Sequence, residues 1–182
     1  MATHKEPTIK GVFVNSHLKA LVAAKGEAAL AGLEKLLGRP LKFHALEDVP
    51  VKLELKIVNA CFDFMTGAPL EGDSRDFEAG RFHFKDFANT PLGQFILSTF
   101  PKDFKSFVLR SDAVANRILK GTEMSALDLG VKKVKLYFSR SPYPVEHLRG
   151  FLQEWMNYWG IKGTVTAQKT DGPKSEYTLS WK

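Results

Sequence analysis

Apolar residues recur along this chain with two different periods, and the switch between them divides it. From about residue 16 to residue 120 the spacing is mostly three to four residues, the period of a helix with one buried face. After Gly130, Val134, Leu136 and Phe138 alternate with Lys133, Lys135 and Tyr137, the period of a half-buried strand. "IKGVFV" (9–14) predicts a short strand ending at Asn15, with Ser16 capping a helix over "HLKALVAAKG". A second helix from Glu27 carries Leu30, Leu33, Leu36 and Leu37. Gly38 ends it and Pro40 prevents its return.

"VKLELKI" alternates like a strand, but Pro50 suits a first helical turn. Leu53, Ile57, Cys61 and Phe64 continue at helical spacing too far for a strand, so a helix is predicted. Another helix is predicted from about Ser74 to Ala88. Thr90 caps the next, Pro91 starts it and Pro101 closes it. Residues 103–120 read as a helix bent near Arg110–Ser111, with Phe104, Phe107, Val108, Val114 and Ile118 inward. Pro144 opens an amphipathic helix with Val145, Leu148, Leu152, Trp155, Met156 and Trp159 on one stripe. "GTVTAQK" and "EYTLSWK", joined at Asp171–Gly172, form a β-hairpin. The order predicts a single α+β domain over 1–182, with residues 1–7 disordered. Its helical N-terminal half packs against a C-terminal antiparallel β-α-β-β unit, 131–182.

Composition narrows the class. The 182 residues are 44% hydrophobic and 25% charged, which is globular. No apolar run is long enough for a membrane span, and the polar start "MATHKEPTIK" carries no signal-peptide stretch. The single cysteine, Cys61, precludes an internal disulfide and suits a reducing cytoplasm. A net charge of +6 admits an acidic partner, but no compact basic run argues for nucleic acid.

The densest stretch is "FEAGRFHFKDF" (77–87), with four phenylalanines in eleven positions. At about 100° per residue, Phe77, Gly80, Phe84, Phe87 and Ala88 share one face, with Gly80 where another helix can approach closely. Phe84 and Phe87, with Phe95, Cys61 and Trp155, surround the apolar centre as core or as the wall of an apolar pocket. Filled core is the favoured expectation for Phe84. Phe82 falls off the stripe and is read as covered by another element or as an interface, which predicts a homodimer. Lys133, Lys135 and Arg140 are candidates for an anion or acidic-partner surface. His83 has no second ligand at metal-binding spacing, and HxxxH and CxxC patterns are absent, so neither metal nor cofactor is expected. His17 is placed in the first turn of its helix and His147 on the C-terminal helix. Ser16-His17-Leu18-Lys19 matches S-x-x-K, but Ser16 is better explained as a cap than as a nucleophile.

Four stretches belong together: "KGVFVNSHLKAL", "LGRPLKFHALEDVPV", "FEAGRFHFKDFANTPLGQFILSTFP" and "FLQEWMNYWGIKGTV…YTLSW". They resemble an uncharacterised paralogous family, abundant in myxobacteria, of proteins of this length. Its arrangement is similar to a wider group of haem–nitric-oxide-binding sensors, vinyl-4-reductase ligand-sensing domains and TRAPP small subunits. That resemblance implies a helical part followed by a β-α-β-β unit. The haem sensors hold propionates with Tyr-x-Ser-x-Arg and use an axial histidine. Here "YFSRS" supplies Tyr137 and Ser139, but Arg140 follows the serine directly and turns to the other face of a strand, so haem is not expected. The vinyl-4-reductase domains bind small apolar molecules, and with no output module here a signal would pass through a partner. The reading is a non-catalytic cytoplasmic sensor or adaptor binding a small apolar ligand, a protein partner, or both. The alternative is a ligand-free, dimeric, TRAPP-like interaction module.

Overall fold

A computed structural model describes residues 6–67, 70–99, 103–170 and 174–182. The expected stop at Pro101, the turn at Asp171–Gly172 and His4 lie outside them. The elements run β1 (Thr8–Lys10), α1 (Gly11–Lys25), α2 (Glu27–Leu37), β2 (Asp48–Pro50), α3 (Val51–Thr66), α4 (Gly72–Asn89), α5 (Pro91–Ser98) and α6 (Phe104–Ile118). They continue with β3 (Glu123–Asp128), β4 (Lys133–Ser139), α7 (Val145–Tyr158), β5 (Gly163–Lys169) and β6 (Lys174–Trp181). The α+β class is as expected: helices precede and cover an antiparallel sheet of order β3-β4-β6-β5, and β1 pairs β2 in a small second sheet.

Local chemistry explains several boundaries. The strand expected over 9–14 stops at Lys10, because Gly11 already opens α1. The helix start has no side-chain cap. Instead the Gly11 and Val12 N–H groups donate to the carbonyls of Glu47 and Ala45, so the loop before β2 satisfies donors a cap would otherwise take. Gly11 is required there, since a Cβ would overlap the His44 carbonyl oxygen. Ser16 therefore sits inside the helix rather than at its cap, and its Oγ donates to the Phe13 carbonyl at 2.6 Å.

Residues 51–66 are helical as predicted, but the buried face runs through Glu54, Ile57, Val58 and Cys61, while Phe64 is exposed. Thr90 caps α5 by accepting from the Gly93 N–H at 2.9 Å, and Asp103 caps α6 by accepting from the Ser106 N–H at 2.8 Å. The α6 helix is one continuous element and ends at Ile118, short of the expected 120. The unpredicted strand β3 pairs antiparallel with β4. On its open edge the Asn116 amide donates to the Met124 carbonyl at 3.0 Å and accepts from the Met124 N–H at 2.8 Å. A side chain from α6 thereby stands in for a neighbouring strand.

The sheet buries Val134, Leu136, Phe138, Val165, Tyr177 and Leu179 on the face carrying α7. Helix α7 in turn lies along α4. As expected of Gly80, the two backbones touch: a Cβ on Gly80 would overlap the His147 carbonyl, and one on Gly150 would overlap that of Phe77. This crossing brings the middle of α4 to the start of α7, with α1 and α3 packed alongside.

Candidate functional site

Five helical residues far apart in sequence, His17 of α1, Glu54 of α3, His83 and Asp86 of α4, and His147 of α7, meet where these helices pack together. All are buried, Glu54 and His147 completely. The contacts form a chain. His17 Nδ1 bonds Asp86 Oδ2. His17 Nε2 lies 3.5 Å from Glu54 Oε1, and His83 Nε2 lies 3.0 Å from the same oxygen. His83 Nδ1 bonds His147 Nε2 at 3.0 Å. The Tyr143 hydroxyl, between β4 and α7, donates to Glu54 Oε2 at 2.9 Å, and its ring stacks on that of His147.

The central pair is not conventionally bonded. Neither Glu54 Oε1 nor His17 Nε2 has a hydrogen-bond partner, although both are buried. Hydrogen bonds need alignment as well as proximity, so the His83 Nε2 approach at 3.0 Å is misaligned. The three atoms lie within 4.8 Å of one another, a spacing at which they could hold a metal ion.

The electrostatics follow from burial and from this company. Burial alone would lower the His17 pKa, but the Asp86 and Glu54 carboxylates outweigh it and hold the imidazole up at about 9. Burial would raise Glu54, yet the facing His83 and His17 hold it well below the usual carboxylate range. His147 is pushed down to about 3 by burial and by neighbouring His83. Burial and the adjacent Glu54 carboxylate raise the Tyr143 phenol well above its ordinary value, so it remains a donor.

His17, His83 and Tyr143 also form one wall of a cavity of about 170 Å³. The rest of its lining is almost wholly apolar and comes from α1, α4, α5, α6, α7 and the sheet, including Phe84, Phe87, Phe107 and Trp155.

The expected site residues separate on this frame. Phe84, Phe87 and Trp155 border the cavity. Phe84 is packed as a core residue, edge-on to Phe151 at 5.1 Å between centroids, yet it faces open space. Phe84 thus has a core residue's burial and also borders the cavity, and the two readings differ in what its removal costs. Phe95 does not reach the centre: it is 69% exposed, and its neighbours Ile96 and Leu97 line the cavity, because α5 is rotated from the orientation assumed. Cys61 is buried but is not on the wall, and burial pushes its thiol up to about 12. Phe82 is half-buried and packs edge-on against Phe62 with centroids 5.8 Å apart, the covering element of one of its two expected readings. The basic strand is largely neutralised: Lys135 pairs Glu176 at 2.9 Å and Arg140 pairs Glu123, leaving Lys133 exposed.

The statement that His83 lacks companion ligands is also corrected, since His17, Glu54 and His147 reach it from other helices. Sequence spacing shows only ligands on one element. The available signal was subtler: Glu54 falls on the apolar stripe of α3, and a carboxylate there must find partners.

The chain belongs to the DUF2378 family, described as a protein of unknown function, whose model matches residues 2–182. No curated protein matches it in sequence. Among solved structures it is similar to an oxygen-binding H-NOX domain related to soluble guanylate cyclases, at 16% identity and a TM-score of 0.68, covering 96% of this chain and 95% of that one. A single-substitution variant of the T. tengcongensis H-NOX gives 18% identity and 0.67, covering 96% and 98%. These likenesses establish a shared fold.

Other similar structures address haem distortion, but haem does not fit this chain. Its cavity falls below the roughly 300–1,000 Å³ of cofactor-sized pockets. Both wall histidines have one nitrogen committed to Asp86 or His147 and the other turned toward Glu54. Arg140 is paired with Glu123 and does not line the cavity.

Proposed function

We propose that this protein is a non-catalytic cytoplasmic sensor or adaptor domain that takes a small apolar molecule, near benzene in size, into the cavity between its helices and sheet. The cavity carries the reading. An apolar space of about 150 Å³ inside a protein stays dry and accepts benzene or xenon, and this one is about 170 Å³. The fold adds support, since it is shared with an oxygen-binding domain. The non-catalytic part rests on the candidate nucleophiles. The Ser16 hydroxyl is bonded within its own helix, and the Cys61 thiol is buried with its pKa raised. A free cysteine suits a reducing compartment. A bound molecule would change the stability and shape of this domain, and a protein partner that reads that change would receive the signal.

The test is thermal unfolding in buffer saturated with benzene or pressurised with xenon. A ligand that binds only the folded state raises the melting temperature, and the wild type is expected to show this. Ala115→Leu, which projects a larger side chain from the α6 wall, should fold, lose the benzene shift and remain at least as stable. An unchanged melting temperature for the wild type with both probes overturns the reading. So does a benzene shift that persists in Ala115→Leu.

A further inference from the structure

We infer that His17, Glu54 and His83 form a binding site for a divalent first-row transition ion. The inference goes beyond ligand uptake by the cavity and stands whether or not the cavity is filled. Its basis is the arrangement of unsatisfied atoms. Glu54 Oε1 and His17 Nε2 are buried without hydrogen-bond partners, and His83 Nε2 approaches the same point. Buried polar atoms almost always find a partner, so two orphaned atoms with a third nitrogen beside them call for a group between them. Two ligands about 2.0–2.2 Å from an ion lie about 3–3.5 Å apart. The Glu54 oxygen is already 3.0 Å from one imidazole nitrogen and 3.5 Å from the other.

The outward atoms are all held, as a metal site requires. Asp86 bonds His17 Nδ1, His147 bonds His83 Nδ1, and the Tyr143 hydroxyl bonds Glu54 Oε2. With an Nδ1 proton donated outward on each ring, an incoming ion takes the place of the second proton that the Asp86 and Glu54 carboxylates favour on His17, and both Nε2 lone pairs then face inward. This fixes tautomer and orientation. Charge agrees as well: the Glu54 and Asp86 carboxylates together match one divalent ion held by neutral imidazoles. Two imidazoles and one carboxylate suit zinc or ferrous iron and leave at least one coordination position open. Both ligand histidines also line the cavity, so a small molecule there would lie beside the ion.

The experiment uses the full, tag-free chain, stripped with a chelator and titrated anaerobically with Co²⁺ and then Zn²⁺. One equivalent of Co²⁺ should bind, produce visible absorption, and shift the ring-proton resonances of His17 and His83. Zn²⁺ should displace it. Tyr143→Phe keeps all three ligands but frees Glu54, and should weaken Co²⁺ binding about 10–100-fold. His17→Ala and His83→Ala should abolish it, while His44→Ala, at an exposed histidine, should change nothing. If a ligand variant fails to fold, the wild-type proton shifts decide the assignment. Absence of stoichiometric Co²⁺ uptake by the wild type overturns the site. Uptake that shifts neither buried ring, or is lost in His44→Ala, overturns it equally. None of these readings depends on benzene or xenon, so the site and the cavity fail separately.

Discussion

Tyr143 and Phe84 both line the cavity, and each answers a different question about it. Tyr143 donates to the outer oxygen of a wholly buried carboxylate. Tyr143→Phe keeps the ring stacked on His147 but leaves Glu54 Oε2 without that donor, which should cost about 1–3 kcal/mol in urea unfolding. No loss would mean that another group or a water takes the donor's place. Phe84 is 2% exposed and contacts Phe87, Phe151 and Tyr158 through its ring. A fully enclosed phenylalanine cut to alanine loses about 3–5 kcal/mol. Here one side borders space that already exists, so Phe84→Ala should cost less, about 2–3 kcal/mol, while enlarging the cavity. A loss above about 4 kcal/mol would show that the space closes in solution and that Phe84 is ordinary core.

Between elements, the α4–α7 crossing decides whether the cluster exists at all. His83 and His147 can bond only because Gly80 and Gly150 let the two backbones touch. Gly80→Ala or Gly150→Ala inserts a methyl group into a facing carbonyl. Either should destabilise the protein by about 1–3 kcal/mol or more, despite alanine's better helix propensity. Gly32 in α2 is the control: a Cβ there meets the Phe64 ring edge at 3.4 Å, an ordinary contact, so Gly32→Ala should be neutral or stabilising by up to about 1 kcal/mol. Equal effects at Gly32 and Gly80, read from denaturant midpoints, would refute the close crossing. The role of Gly80 was legible in the sequence because a glycine on an apolar helical stripe has one obvious use. The helices over 51–66 and 72–89 and the β-α-β-β order were legible for similar reasons of period and punctuation. Strand β3 was not, because only Met124 is buried on it, so an edge strand left no alternation to read. The polar cluster was hidden for a deeper reason. His17, Glu54, His83 and His147 lie on four different helices, and sequence spacing reports neighbours only along one of them. The rotation of α5, which exposes Phe95 and turns Ile96 inward, depends equally on packing that no local period encodes.

At the scale of the molecule, several basic side chains among the described residues are already paired. Lys135 and Arg140 already have carboxylate partners on the sheet, and Lys10 and Lys120 share Asp48. The Asp48 pairing ties together segments remote in sequence: Lys10 at the end of β1 is 2.6 Å from Asp48 in β2, and Lys120 just beyond α6 is 2.9 Å from it. Backbone bonds between Thr8 and Lys120 run alongside. The small sheet is thus fastened to the exit of the helix that walls the cavity. Hydrogen bonds from the two lysines lower the Asp48 carboxyl from 3.8 to about 2. A carboxyl depressed in the folded state adds stability that is fully present above its unfolded value. That contribution disappears as pH falls from about 4 to about 2. The group is at the surface and screened by salt, so the contribution is small, and carboxyl resonances are a better gauge than a melt. The Asp48 ¹³C signal should titrate with a midpoint near 2 in the wild type, and Lys120→Met should move it upward toward 3.8. Removing Lys10 should have the larger effect, since its contact is the shorter and its share of the shift is first. Raising the salt concentration should move the wild-type midpoint in the same direction as either substitution, because all three weaken the same attraction. A wild-type midpoint near 3.8 that neither lysine influences would mean that the fastening is absent in solution, and that the Thr8–Lys120 backbone bonds alone hold the small sheet to α6.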